Sequence, residues 1–174
     1  MEVKLVSVSD AALLSKFYEE NEAHLSAWEP SREGGYHSVT AWEQRLEEWS
    51  SEKLNGNSAH FVLTEPNQLK IIAICSLTNI VKGPFMACNM GYAVAQKYEG
   101  KGFMKFLCQK TIDYAFKELS LNRIMANYMP SNYRSAKLLE SLGFTKEGEA
   151  KRYLKINGCW EDHVLTSLLS PGNT

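Results

Sequence analysis

A chain of 174 residues with 44% hydrophobic and 22% charged side chains has the composition of an ordinary soluble domain, with a core large enough to need no staples. Its formal net charge of −1 argues against non-specific nucleic-acid binding, which needs a basic face, but leaves room for a local acidic patch. The opening residues Met1-Glu2-Val3-Lys4-Leu5 lack a signal-type apolar core, and no apolar run approaches the roughly 20 residues of a membrane span.

In chain order, Val3 to Val8 reads as a first strand. Ser9 or Asp10 then caps a helix with Leu13, Leu14, Phe17 and Tyr18 as its apolar set. Residues 24–39 are irregular and aromatic, His24-Leu25-Ser26-Ala27-Trp28-Glu29-Pro30 and Gly34-Gly35-Tyr36-His37-Ser38, and a loop of that length is more often functional than idle. Thr40-x-x-Glu43 reads as a capping box opening a second helix, with Trp42, Leu46 and Trp49 on one stripe. His60–Thr64 and Leu69–Val81 are strands around the turn Glu65-Pro66-Asn67-Gln68, and Gly83-Pro84 breaks the chain before a strand over 86–95.

A helix from about Gly102 to Leu119 follows, carrying Phe103, Phe106, Leu107, Tyr114 and Phe116. Arg123–Met129 is a strand stopped by Pro130, and Ser131 or Asn132 caps a helix that runs to Leu142 and ends at Gly143. Thr145–Ile156 and Cys159–Leu169 form a hairpin across Asn157-Gly158, the strongest two-residue turn signal. This order predicts one mixed α/β (α+β) domain over 1–174, its helices covering a largely antiparallel sheet. Cys75, Cys88, Cys108 and Cys159 have no C-x-x-C spacing and no paired histidines, so they read as buried reduced thiols rather than zinc ligands. A reducing cytoplasm is the matching compartment.

The most informative stretch is Met90-Gly91-Tyr92-Ala93-Val94-Ala95-Gln96-Lys97-Tyr98-Glu99-Gly100-Lys101-Gly102-Phe103-Met104. Strand, glycine loop and helix N-terminus make an anion trap, because glycines let backbone approach a phosphate and the first helical turn offers free N–H groups. A G-x-G pair alone is equally turn chemistry. Here Asn132-x-x-Ser135 and Leu142-Gly143-Phe144 follow it, and together these resemble the acetyl-coenzyme A site of the GNAT N-acetyltransferases.

Longer strings are more specific. Val81 to Tyr92, Gln96 to Gly102, Arg123-Ile124-Met125-Ala126-Asn127-Tyr128-Met129-Pro130 and Asp162-His163-Val164-Leu165-Thr166 resemble the RimJ group of that family, which acetylates a ribosomal protein's N-terminal alanine. His24-Leu25-x-x-Trp28-Glu29-Pro30 and Trp42-x-x-Arg45-Leu46 extend the likeness into the first half. The resemblance implies a GNAT fold with a mostly antiparallel seven-stranded sheet and about four helices. It implies acetyl-coenzyme A as donor, no metal, and a cytoplasmic acceptor, the α-amine of protein five of the small ribosomal subunit.

Carried onto this sequence, the resemblance places Lys97, Tyr98, Glu99, Gly100, Lys101, Gly102, Phe103 and Met104 at the pyrophosphate, and Tyr92, Val94 and Asn132 beside the pantetheine arm. A plain N-cap is the alternative role for Asn132. Ser135, one turn after Asn132, takes the position of a proposed proton donor to the leaving thiolate in the related RimL group, and also borders the coenzyme. The tyrosine that serves many relatives as general acid is Leu139 here, which has no proton to give.

The aromatic loop with Trp28, Glu29, Tyr36 and His37 would form one wall of the acceptor groove, Tyr128 would also contact the substrate, and the acidic Glu19, Glu20, Glu22, Glu29 and Glu33 suit a basic tail. Glu149 and His163 on the terminal hairpin are the candidate bases. An α-amine with pKa near 7.7 is about one-sixth neutral at pH 7, against about 1 in 2,500 for a lysine near 10.4, so an α-amine acetylator manages with a weak base. Two alternatives stay open at this point: a small-molecule acetyltransferase on the same fold, and a non-catalytic ribosome-assembly factor. Monomer and homodimer are equally open.

Overall fold

The computed structural model describes residues 1–67 and 69–172; Gln68, the last residue of the expected Glu65–Gln68 turn, lies outside them. In chain order come β1 (Glu2–Leu5), α1 (Ala11–Leu25), α2 (Val39–Leu54), β2 (Ala59–Thr64), β3 (Ile71–Val81), β4 (Ala87–Val94), α3 (Phe103–Lys117), β5 (Arg123–Met125), α4 (Tyr133–Ser141), β6 (Thr145–Ile156) and β7 (Cys159–Leu169). The strands form one seven-stranded sheet in the order β1-β2-β3-β4-β5-β7-β6. β4 and β5 run parallel and the other neighbours antiparallel. The mixed, mostly antiparallel sheet and four α-helices match the sequence reading.

Each face of the sheet buries its own cluster. Leu107, Cys108, Ile112, Ala115 and Leu139 pack α3 and α4 against β2 to β5 on one face. On the other, Leu14, Phe17, Trp42 and Leu46 pack α1 and α2 against Val62, Ile71 and Ala95. Alternation along β4 therefore sends Met90, Tyr92 and Val94 toward α3 and α4, and Ala93 toward α1.

Local choices explain the boundaries. α2 starts two residues before the expected capping box, because Ser38, in extended conformation, accepts from Ala41 N at 3.3 Å; Thr40 and Glu43 fall inside the helix. Asp10 precedes α1, but its carboxylate turns back to Ser7 N (2.9 Å) and Lys4 Nζ (2.6 Å), closing the short 3-10 turn Val8–Asp10 that ends β1 early. Asn157 and Gly158, with φ of 45° and 83°, supply the left-handed pair of a type I′ turn between β6 and β7. Cys75, Cys88 and Cys108 are buried and free as expected, whereas Cys159 is exposed because it flanks that hairpin turn.

The feature that makes a site is where β4 and β5 separate. They pair only from Ala87 opposite Arg123 to Asn89 opposite Met125. Beyond that β4 keeps β3 as its partner, Gly91 to Val94 lying opposite Ser76 to Ala73. β5 was expected to reach Met129, but its ladder stops at Met125, and only an isolated bridge from Tyr128 to Val164 continues toward β7. The edge of β4 facing β5 is thus open in mid-sheet.

Candidate active site

The glycine loop sits at the end of that open edge. A 3-10 turn over Gln96–Tyr98 uses the amides of Tyr98 and Glu99, which donate to Ala95 O (2.9 Å) and Gln96 O (3.2 Å). Gln96 N donates to the buried Asn21 Oδ1 at 2.9 Å, tying the loop to α1. From Gly100 to Lys105 the amides have no backbone acceptor among the described residues. Gly100 and Gly102 have φ of +70° and +81°, and apart from their chain neighbours no heavy atom lies within 4 Å of where a Cβ would stand on either. Free donors, open glycines and the positive end of α3 converge, which is what a pyrophosphate requires.

Two expected phosphate-side residues do other work. The Tyr98 hydroxyl donates to Glu65, with Lys97 Nζ 4.7 Å and Lys101 Nζ 5.5 Å from its ring centroid. The Glu99 carboxylate is held by His24 Nε2 at 3.2 Å and by Arg134. The free amides therefore begin at Gly100, and Phe103 and Met104 contribute theirs from the first turn of α3.

Across the gap, α4 presents its N-terminus. Asn132 caps it, Oδ1 accepting from Ser135 N at 3.0 Å, while its Nδ2 has no hydrogen-bond partner among the described residues. One amide side chain thus caps the helix and still has a donor to offer, so the two roles weighed for it are compatible. The cap fixes Ser135, which is 9% exposed, and its Oγ is hydrogen-bonded to the Tyr92 hydroxyl. Burial pushes the Tyr92 phenol well above its usual pKa; the Ser135 bond pulls the other way, and Cys108, Cys75 and Tyr128 beside it add to the rise. Leu139, 1% exposed, is core. Val94 lines the same face of β4.

On the other side of α1 lies a groove of about 220 Å³ walled by Tyr18, Glu22, Leu25, Glu29, Arg32 and His37. The β6–β7 turn closes it, Asn157 N donating to Glu29 O at 2.9 Å. Burial raises the Glu29 carboxyl above its usual pKa, with Arg32 opposing. Burial, then Arg45 and Arg32, lower His37 to about 4, and its ring stacks on Tyr18 at 4.0 Å.

Of the residues expected at the acceptor wall, Glu29 and His37 line this groove, with Glu22 from the acidic set beside them. The Tyr36 ring is gripped by the Arg32 and Arg45 guanidiniums, at 4.4 and 4.0 Å, and shapes the loop from behind. Trp28 is 38% exposed and, like Tyr36, stands outside the lining. Tyr128 lies on the donor side, bonded to Val164 at the end of β5 and neighbouring Tyr92.

The two candidate bases are placed differently. Glu149 is on the surface, its carboxyl held below the usual range by a 2.7 Å bond to Lys146. His163 is 4% exposed and donates from Nδ1 to Glu161 O at 3.1 Å. Neither is hydrogen-bonded to Tyr92 or Ser135 among the described residues. Sequence reasoning missed three things: Tyr18 as groove wall, the His24–Glu99–Arg134 cluster, and the Tyr92–Ser135 contact. Only Tyr18 left a signal, as an amphipathic-edge aromatic on α1.

Comparison with known proteins agrees with this geometry. The GNAT acetyltransferase domain family matches residues 2–145, and the chain belongs to that family. It is an N-acetyltransferase, and the family's donor is acetyl-coenzyme A. The chain is 43% identical over 169 residues to the [ribosomal protein uS5]-alanine N-acetyltransferase of Escherichia coli K12, covering 97% of this chain and 87% of that protein. The crystal structure of ribosomal-protein-S5-alanine acetyltransferase from Vibrio fischeri superposes with a TM-score of 0.94 at 43% identity, over 98% of this chain and 93% of that one. Mycobacterium smegmatis RimJ in complex with CoA-disulfide gives 0.88 at 29% identity, over 96% and 80%.

Proposed function

We propose that this protein, acting as one domain in the cytoplasm, acetylates the N-terminal alanine of ribosomal protein uS5. The observation that carries the reading is the 43% identity over 97% of the chain with a uS5-alanine N-acetyltransferase, which spans the acceptor loop as well as the donor half. The acceptor partner is the uS5 N-terminus, met free, on the ribosome or on its assembly intermediates.

The chain's own groups divide the work. Amides from Gly100 to Lys105, with the α3 N-terminus, hold the coenzyme's pyrophosphate. The open edge of β4 and Asn132 Nδ2 pair with the amides of the pantetheine arm. Bound there, acetyl-coenzyme A supplies an acetyl thioester. A β4 backbone N–H stabilises negative charge developing on the thioester oxygen, and Ser135 Oγ–H protonates the departing sulphur. Glu29 and Glu22 in the groove favour a cationic α-ammonium over neutral competitors. The α-amine then needs only a weak base, since about one-sixth of it is neutral at pH 7; Glu149 and His163 remain the bases to test by substitution.

The test is mass spectrometry on two peptides incubated with enzyme and acetyl-coenzyme A. A peptide beginning with alanine should gain one acetyl group on its α-amine, and the same sequence with a blocked N-terminus and a free lysine should not react. Comparable turnover of the blocked peptide would overturn the α-amine reading in favour of a lysine or small-molecule acetyltransferase.

A further inference from the structure

We propose that Tyr92 is the positioning residue for Ser135: its phenol donates to Ser135 Oγ and leaves the serine proton directed at the leaving sulphur. The inference rests on the acetyl-transfer reading of this site. Its starting observation is the direct hydrogen bond between the two hydroxyls, which joins β4 to α4 across the open gap.

The direction of that bond decides whether Ser135 is usable. A serine that donates to Tyr92 has spent its only proton; a serine that accepts keeps it. Of the two hydroxyls the phenol remains the stronger acid even with burial raising its pKa, because the ring delocalises the charge of its conjugate base, so the pair favours Tyr92 as donor. A hydroxyl that accepts a hydrogen bond becomes a better donor itself, and the effect is larger in a buried setting. No other hydrogen bond to the Tyr92 hydroxyl exists among the described residues, and Asn132 fixes the Ser135 backbone at 3.0 Å. Both ends of the contact are therefore held from outside it, one by a strand and one by a helix cap.

The proton inventory balances. The amine nitrogen bonds to the acetyl carbon, and the carbon–sulphur bond breaks with its electron pair on sulphur. Sulphur takes the Ser135 proton while Ser135 takes that of Tyr92. The proton shed by nitrogen returns through solvent to Tyr92, so none is gained or lost. A partly buried phenol resists staying ionised, which favours its reprotonation.

The test measures kcat and the KM for acetyl-coenzyme A in Tyr92→Phe, Ser135→Ala and the double variant. Tyr92→Phe should lower kcat about tenfold or more while moving KM by less than about threefold. In the Ser135→Ala background it should cost nothing further, because it acts only through that hydroxyl. Ser135→Thr, which keeps a hydroxyl, should retain most activity. Losses that multiply in the double variant, or a Tyr92→Phe effect confined to KM, would overturn the proposal.

A second measurement does not depend on any Tyr92 variant folding. In single turnover, the wild type should show a curved dependence of rate on deuterium fraction, reporting more than one proton in flight, and Ser135→Ala a linear one. A linear wild-type plot overturns the relay. These ratios can be read with any amine the enzyme acetylates, so failure of the alanine peptide would strike the acceptor reading and leave this one standing.

Discussion

His24 Nε2 lies 3.2 Å from one oxygen of Glu99, and the Arg134 guanidinium takes the other. A carboxylate inside an anion-binding loop is electrostatically adverse, and its two cationic-capable partners explain why it is tolerated. Through Glu99 the loop is fastened to the last turn of α1, which borders the groove, and to the first turn of α4, which carries Ser135.

Two replacements of Glu99 should therefore part company. Glu99→Ala removes the tie and should weaken coenzyme binding about three- to tenfold, as a partly exposed ion-pair cluster is worth about 1 kcal/mol. Glu99→Gln keeps an acceptor for Arg134 and removes the charge that opposes the pyrophosphate, so affinity should hold or improve. Isothermal calorimetry decides it; tighter binding by Glu99→Ala would mean that charge outweighs the tie.

Gly100→Val and Gly102→Val should abolish coenzyme binding in a folded protein. Both glycines have positive φ, +70° and +81°, and a side chain at either would occupy the space left open for phosphate. The backbone strain is about 1–2 kcal/mol per site, a cost the domain survives. Unchanged affinity by calorimetry in a folded variant would remove the loop from the site.

Leu139→Tyr should not rescue Ser135→Ala. The position is 1% exposed within the α3–α4 core, so a phenol there overpacks and should cost about 1–3 kcal/mol. Urea denaturation gives the stability, and peptide turnover shows whether any activity returns.

Acid should destabilise the fold through His60. Burial lowers its pKa to about 4, and it stacks on Trp49 at 3.5 Å and bonds Ser76 at 2.8 Å in neutral form. Between the unfolded value of about 6.5 and the folded one, the unfolded chain binds the extra proton. Stability is therefore full above pH 6.5 and falls as pH drops toward 4, by about 2 kcal/mol between pH 7 and 5. Urea midpoints at the two pH values should show this, and His60→Gln should reduce the slope, leaving the part that His37, also lowered to about 4, contributes.

What the sequence disclosed was local. Asn157-Gly158 has one good conformation, so the hairpin was legible to the residue, and Gly100 and Gly102 announced their loop. Ser38 and Thr40 are both competent caps, and only packing of Trp42 and Leu46 chooses between them. β5 looked longer because nothing in Ala126-Asn127-Tyr128 says that its neighbour has already turned away. Tyr92 and Ser135 meet across 43 positions of chain, and no periodicity encodes such a meeting.

The parting of β4 and β5 also bears on how the protein is made. Parallel pairing over three register positions closes through a crossover containing all of α3, so β5 cannot be stitched in until that loop has closed. β5 gains its second neighbour only from β7, the last strand. A nascent chain stopped before Cys159 thus has its glycine loop and α4 but not the strand that holds β5 from its far side. Competence to bind coenzyme should appear late in synthesis, in one step, as β7 docks and both banks of the cleft are held in place together.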